Sequence, residues 1–160
     1  MHDYNPHDFE VVLFPTNMAE RTLFEKILSG EVPANFICRG ENWGAFLDVF
    51  PRTEGHTLVV PTKPVQRISD LSADDLTGLF LGVKETQNKL ASYFKTTDFT
   101  VIVHDGPLAG QEIPHVHIHV LPRLQGDGGK ALPALFPNAN PPNPPNFQAL
   151  SELCRKIVEA

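Results

Sequence analysis

Apolar residues at helical spacing predict two helices in the main part of the chain. The first covers residues 17–28, where Asn17 and Glu20 have the spacing of an N-terminal capping box. The second covers residues 72–94, with Ser72 as its N-cap and acidic side chains in its first turn. Negative charge at that end complements the helix dipole, which supports the predicted start.

Short apolar segments bounded by turn residues predict five strands. Residues 35–39 and 43–47 flank Gly40-Glu41-Asn42, a connection typical of a β-hairpin. The other three strands cover residues 56–61, 99–104 and 115–121. These strands can pair as an antiparallel sheet with the helices mainly on one face. We therefore predict an α+β fold, with an antiparallel sheet of about five strands, one long helix and one shorter helix.

The predicted elements divide the chain into three parts. Residues 1–16 mix polar residues with a short apolar run and are predicted to be an N-terminal extension. Residues 17–132 hold the predicted sheet and helices of one domain. Six prolines between residues 133 and 146 exclude a helix or central strand there. Residues 133–160 are therefore predicted to be a proline-rich tether and a C-terminal helix packed on the domain.

Composition narrows the class of protein. The 160-residue chain has a formal net charge of −6 and no cluster of Lys and Arg, so no nucleic-acid partner is expected. No segment approaches the roughly 20 apolar residues of a membrane helix, and no signal-peptide core begins the chain. We therefore expect a cytoplasmic protein with no membrane partner. Cys38 and Cys154 lie too far apart in sequence to suggest a zinc knuckle or a disulfide framework.

Three histidines alternate with apolar residues in the sequence His115-Val116-His117-Ile118-His119-Val120-Leu121. Because successive side chains of a strand point to opposite faces, the histidines share one face and the apolar residues share the other. The apolar face anchors the strand to the core. The histidines therefore line a polar surface or a cleft.

Three interpretations fit this histidine face. The residues could be solvated, although an unbroken alternation of three histidines is unusual on a plain surface. They could bind zinc, but positions i, i+2 and i+4 of a flat strand span about 13 Å, too far for one tetrahedral ion. They could also perform nucleophilic catalysis, because an imidazole can attack phosphorus and later leave, and its pKa lies near neutrality.

A glycine-containing loop directly before the histidines favours nucleophilic catalysis. The loop reads Gly106-Pro107-Leu108-Ala109-Gly110-Gln111. Glycines allow close approach of the backbone, and consecutive amides in such a loop can form a nest for an anion. Together with the histidines, the loop predicts a phosphate held beside an imidazole nucleophile.

In these residues the sequence resembles the histidine triad (HIT) family. The family signature, His-x-His-x-His followed by two apolar residues, is intact from His115 to Leu121, and the upstream glycines and Gln111 also match. The resemblance extends from about Thr22 to Arg123. It implies a HIT-like fold, a homodimer whose sheets join edge to edge, and a purine nucleotide, adenosine type favoured, as the small-molecule partner.

The sequence combines features of two branches of that family. Residues 63–67, 104–111 and 119–123 resemble the fragile-histidine-triad branch, which cleaves dinucleoside polyphosphates. Residues 22–27, 46–48 and 55–61 resemble the nucleotide-binding branch, which cleaves phosphoramidates and related adenylates. The resemblance thus implies a hydrolase or nucleotidyl transferase that acts at the α-phosphate of either kind of conjugate through a covalent nucleotidyl-histidine. A nucleotide-binding signalling module with slow turnover is the alternative.

The resemblance also implies roles for individual residues. His117 would form the covalent intermediate, His115 and His119 would orient it and contact phosphate, and Gln111 would approach the phosphate and leaving group. Asp48 would take the ribose hydroxyls, since its carboxylate is an acceptor only. The other expected substrate-binding residues are Phe24, Ile27 and Phe46 around the base, His104 near the ribose or phosphate, Gly110 near the phosphate, and His56 beside the triad strand. The three apolar residues are equally compatible with an ordinary core.

The sequence departs from the family pattern at three places. Thr22 and Glu25 stand where zinc-binding members have a Cys-x-x-Cys pair, so we expect no bound metal and no cofactor, although a polyphosphate substrate can bring magnesium with it. His104 replaces a common Asn or Gln. Glu112 stands where a small hydroxyl residue is common, and its carboxylate would repel a phosphate unless it points away or is protonated.

Overall fold

The computed structural model describes residues 20–135 and 144–160. The predicted N-terminal extension and the first residues of the first predicted helix lie outside this part of the chain. The described residues divide into two compact units, with the boundary between Leu124 and Gln125. No helix within the described residues is long and apolar enough to cross a membrane.

The first helix, α1 (Leu23–Leu28), begins later than the sequence predicted. The Thr22 hydroxyl accepts a hydrogen bond from the Glu25 N–H at 3.1 Å, and the Glu25 carboxylate accepts one from the Thr22 N–H at 2.7 Å. This reciprocal capping box satisfies two N–H groups at the helix start. The predicted extension of the helix through residues 20–22 is wrong, because the capping box formed is that of Thr22 and Glu25.

Five antiparallel strands form one sheet, which confirms the predicted α+β class. They are β1 (Phe36–Arg39), β2 (Trp43–Leu47), β3 (Thr57–Pro61), β4 (Phe99–Val103) and β5 (Ile118–Pro122). Their order is β1-β2-β3-β5-β4, so β5 lies between β3 and β4. The last strand begins at Ile118 and not at His115 as predicted, because the Val116 N–H donates to the Val65 carbonyl instead of to a neighbouring strand.

The long helix α2 (Ala73–Phe94) packs on one face of the sheet. Ser72 is its N-cap, as predicted, and its hydroxyl accepts a hydrogen bond from the Asp75 N–H at 3.1 Å. Lys95 ends the helix with a left-handed backbone conformation. Side chains of α2 and of the strands share one buried cluster. Its members are Trp43, Ala45, Val59, Leu71, Leu79, Val83, Leu90, Val116, Ile118 and Val120.

A second buried cluster joins α1 to the other face of the sheet. Its members are Phe24, Ile27, Phe46, Leu58 and Val60. Along β2 and β3, consecutive residues fall into different clusters, as the pleat of a strand requires. The two helices therefore lie on opposite faces, and the expectation that the helices lie mainly on one face is wrong for α1.

The unit formed by residues 125–160 contains the predicted C-terminal helix, α3 (Phe147–Val158). The Asn146 side chain caps it by accepting a hydrogen bond from the Ala149 N–H at 3.0 Å. Residues 136–143 of the predicted tether lie outside the described residues. The packing of this helix on the domain stays a prediction.

Two leucines on α2 test the assignment of its buried face. Leu79 is 1% exposed and Leu81 is 55% exposed. We expect Leu79→Ala to lower the free energy of unfolding by about 3 kcal/mol, because it removes buried methyl groups and leaves a cavity. Leu81→Ala should change it by less than about 0.5 kcal/mol. Urea denaturation of both variants measures this, and equal losses would contradict the orientation of α2.

Candidate active site

A cavity of about 530 Å³ lies beside α1, within the range typical of small-molecule sites. Its apolar wall comes from α1, β2 and the segment of residues 32–34. Its polar wall comes from the ends of β2 and β3, the loop before β5, and β5 itself. The polar and charged residues that line it are Asp48, Arg52, His56, His104, Glu112, His117 and His119.

Most of the residues singled out from the sequence converge on this cavity. Those that line it are Phe24, Ile27, Phe46, Asp48, His56, His104, Gly110, His117 and His119. His115 and Gln111 do not line it; both are buried next to it. Phe24, Ile27 and Phe46 belong both to the cavity wall and to the second core cluster. These apolar positions are therefore compatible both with a base pocket and with an ordinary core.

His115 is fully buried and bridges two elements of the fold. Its Nε2 lies 2.8 Å from the Pro61 carbonyl and its Nδ1 lies 2.8 Å from the Thr22 hydroxyl. Since a carbonyl can only accept, Nε2 carries the proton and Nδ1 accepts from the hydroxyl. Burial lowers the pKa of this imidazole, which favours its neutral form. His115 thus links α1 to β3. Thr22 is therefore also a site residue. In the sequence it stood out only because it occupies a position where zinc-binding members have a cysteine.

A backbone hydrogen bond determines which ring nitrogen of His117 carries the proton. Its Nδ1 donates to the His115 carbonyl at 2.8 Å, so the neutral ring has its lone pair on Nε2. Burial lowers the pKa of His117, which keeps that lone pair unprotonated near neutral pH. The Phe24 ring packs edge-on at 5.1 Å between centroids and restricts the imidazole. Among the described residues, nothing hydrogen-bonds to Nε2.

The proton positions on His56 and His119 follow from one backbone amide. The Arg52 N–H donates to His56 Nδ1 at 3.2 Å, so the proton of neutral His56 lies on Nε2. His56 Nε2 in turn donates to His119 Nδ1 at 2.9 Å, which leaves the proton of neutral His119 on its Nε2. Burial and then the neighbouring His117 lower the pKa of His119 to about 4. The cavity therefore contains a nitrogen lone pair on His117 and an N–H donor on His119.

Asp48 follows β2 and contributes a carboxylate to the cavity. Its Oδ1 accepts a hydrogen bond from the Phe50 N–H at 2.9 Å, and its Oδ2 lies 3.6 Å from His56 Nε2. These contacts fix the carboxylate while leaving it unused acceptor capacity. A diol or other pair of hydroxyl donors fits this group.

Asp48, His56 and His119 are also the candidate metal ligands of the described residues. One ligand atom of each lies within 4.8 Å of the others. A tetrahedral zinc ion with ligands at about 2.0–2.1 Å separates its ligand atoms by roughly 3.3 Å, which is compatible with these positions. However, the proton on His56 Nε2 occupies the position that a metal would take. Binding would require this proton to move to Nδ1 and the Arg52 hydrogen bond to break.

The glycine loop before β5 is fixed by the segment that follows β3. The Arg67 guanidinium donates to the Asp105 carbonyl at 2.8 Å, and the Asp105 carboxylate accepts from the Ile68 N–H at 3.0 Å. Gly106 has a φ of +114°, and a Cβ at this position would collide with the Arg67 guanidinium. Only glycine satisfies both the backbone conformation and this close approach.

Gln111 and His104 complete this side of the site. Gln111 Nε2 donates to the Gln66 carbonyl at 2.8 Å, while its buried Oε1 has no hydrogen-bond partner among the described residues. His104 packs against Gly110, and its ring centroid lies 5.4 Å from that of His119. His104, which directly follows β4, therefore faces the triad, and Gln111 holds the loop rather than lining the cavity.

The chain matches the HIT domain model over residues 29–126, more than half of its length. It therefore belongs to the HIT domain family. An uncharacterized HIT-like protein of Methanocaldococcus jannaschii is 42% identical over 106 residues, which cover 66% of this chain and 81% of that protein.

Other relatives carry functional names. A bifunctional bis(5'-adenosyl)-triphosphatase/adenylylsulfatase of Arabidopsis thaliana is 41% identical over 83 residues, 52% of this chain. The matched segment spans only 46% of that plant protein. Among solved structures, a HIT family protein of Bacillus anthracis superposes with a TM-score of 0.74 at 28% identity, covering 88% of this chain and 96% of that one. This agreement confirms the fold.

The lowered pKa of His119 makes two measurements predictable. We expect its imidazole to titrate with a midpoint of about 4 in an NMR pH titration of the folded protein. The ordinary histidine pKa is about 6.5, so the unfolded chain binds more protons between these two pH values. Histidine burial should therefore make the free energy of unfolding fall as pH decreases from about 6.5 towards 4. A midpoint at or above 6.5 would contradict the burial of His119 beside the other histidines.

Proposed function

We propose that this protein is a nucleotide hydrolase or nucleotidyl transferase. It cleaves at the α-phosphate of dinucleoside polyphosphates or nucleoside phosphoramidates through a covalent nucleotidyl-histidine. The observation that carries the proposal is the hydrogen bond from His117 Nδ1 to the His115 carbonyl, which leaves the Nε2 lone pair at the cavity. The names of the Arabidopsis relative and of a bis(5'-nucleosyl)-tetraphosphatase of Schizosaccharomyces pombe, 39% identical over 83 residues, support nucleotide substrates.

In the first step, His117 Nε2 bonds to the α-phosphorus as the bond to the leaving group breaks. His119 Nε2–H supplies a hydrogen-bond donor for the charged oxygens or for the departing atom. Water then attacks the phosphorus of the nucleotidyl-histidine and releases the nucleoside monophosphate. An alcohol or amine in place of water would make the same reaction a transfer. No step of this proposed reaction uses a resident metal, although a polyphosphate substrate can bring magnesium.

The rest of the nucleotide fits the remaining lining of the cavity. Asp48 would accept hydrogen bonds from the ribose hydroxyls, and Phe24, Ile27 and Phe46 would enclose the base, adenosine type favoured. The Gly110 backbone and His104 lie on the triad side, where the phosphates would enter. The family resemblance also supports a homodimer. β4 is an edge strand of the sheet, and an edge strand offers unpaired backbone groups for joining two sheets.

Replacement of the proposed nucleophile separates chemistry from binding. We expect His117→Ala to lower turnover of diadenosine triphosphate and of an adenosine phosphoramidate by at least about 1000-fold, because the covalent route is lost. Binding of adenosine monophosphate, measured by calorimetry, should stay within about threefold. Turnover near that of the parent protein would contradict the proposed nucleophile. Binding of the monophosphate with no turnover by the parent protein would favour the signalling module instead.

Asp48→Asn tests the ribose contact while keeping an oxygen that can accept the hydrogen bond from the Phe50 N–H. The Asn side chain still offers Oδ1 to the Phe50 N–H but loses the charge that strengthens hydrogen bonds from hydroxyls. We expect adenosine monophosphate to bind about 10-fold more weakly to this variant, because a hydrogen bond to a charged group contributes about 1.5–3 kcal/mol. The affinity for the 2',3'-dideoxy analogue should hardly change. An equal loss for both ligands would mean that the ribose lies elsewhere.

A further inference from the structure

The fixed charges around the cavity are unfavourable for a highly anionic ligand. Among the described residues that line it, the carboxylates are Asp48 and Glu112, and the one guanidinium is that of Arg52. The two carboxylates outnumber the one guanidinium, so the carboxylate and guanidinium groups of this lining sum to a net negative charge before a phosphate enters.

Glu112 lies on the cavity side of its loop. Its neighbour Gln111 turns inward and donates to the Gln66 carbonyl, whereas Gly110 and Glu112 both line the cavity. The Glu112 carboxylate is also close enough to His117 to raise the pKa of that imidazole, against the larger opposite effect of burial. The charge of Glu112 therefore acts in the region where the phosphorus would be attacked.

We infer that Glu112 selects the leaving group, disfavouring polyphosphate leaving groups and favouring amines, above all amines with a cationic tail. The inference rests on the proposed function and narrows its two substrate classes to nucleoside phosphoramidates. The physical reason is that a nucleoside diphosphate leaves with several negative charges, which the carboxylate repels. An amine is neutral or positive, so the same carboxylate tolerates or attracts it.

The corresponding reaction is balanced with water alone. His117 Nε2 bonds to the α-phosphorus as the P–N bond to the amine breaks, and the departing nitrogen takes a proton from solvent water that enters the cavity. His119 Nε2–H stays protonated and donates a hydrogen bond to the reacting group. Water then adds its hydroxyl to phosphorus as the bond to His117 breaks, and its other proton returns to solvent. The products are an amine and a nucleoside monophosphate.

The experiment compares three conjugates of adenosine monophosphate that differ only in the leaving group. They are diadenosine triphosphate, the N-hexyl phosphoramidate, and the N-(6-aminohexyl) phosphoramidate with its terminal ammonium. The kcat/KM of each is measured for the parent protein and for Glu112→Gln, which removes the charge at nearly constant volume. Glu41→Gln is the matched control, because Glu41 is an exposed carboxylate outside the cavity lining. Thermal melting verifies that both variants fold.

The parent protein should prefer the aminohexyl conjugate. Glu112→Gln should raise kcat/KM on diadenosine triphosphate about tenfold, lower it severalfold on the aminohexyl conjugate, and leave the neutral hexyl conjugate within twofold. Both changes should shrink at high salt, because ions screen an exposed carboxylate. Glu41→Gln should move none of the three values.

Unchanged substrate ratios in Glu112→Gln, or equal changes in Glu41→Gln, would overturn the inference while leaving the proposed function intact. A parent protein that prefers diadenosine triphosphate would also overturn it. Cleavage of none of the three conjugates would defeat the proposed function, and the inference with it.

Discussion

The candidate site depends on the burial of one imidazole. His115 lies between the Thr22 hydroxyl and the Pro61 carbonyl, and both ring nitrogens are hydrogen-bonded. A buried polar ring is tolerated only when its groups are paired, so this histidine requires α1 and β3 at fixed positions. Its own carbonyl then accepts the proton of His117 Nδ1. The placement of one helix start thus fixes the orientation of the candidate nucleophile.

Hydrogen bonds and burial act together on the protons of the site. Backbone groups determine which nitrogen of His56 and of His117 carries the proton. The hydrogen bond from His56 Nε2 to His119 Nδ1 then determines it for His119. Burial lowers the pKa values of all three, so the assigned tautomers are the ones present near neutral pH. The same low polarity strengthens any charge that remains, which is why the partly buried carboxylate of Asp48 matters to an incoming nucleotide.

The loop that precedes β5 shows how packing and chemistry constrain one glycine. Gly106 needs a positive φ and also lies against the Arg67 guanidinium, which itself holds the Asp105 carbonyl. A side chain here would displace the arginine and release the loop. The segment after β3 therefore supports the phosphate side of the site, and Gln111 contributes to this support through its bond to the Gln66 carbonyl.

The sequence by itself determined the α+β class, the strands and the shared face of the triad histidines, because alternation and helical spacing are local properties of the chain. It also singled out Asp48 and His56, but only through family resemblance. It misplaced the start of α1, because Thr22 is the N-cap and its hydroxyl also contacts His115, a residue 93 positions away in sequence. Tertiary structure alone decided the tautomer of His119, which depends on His56, and the inward turn of Gln111, which depends on the Gln66 carbonyl. Both partners are distant in sequence, and no local pattern encodes such a contact.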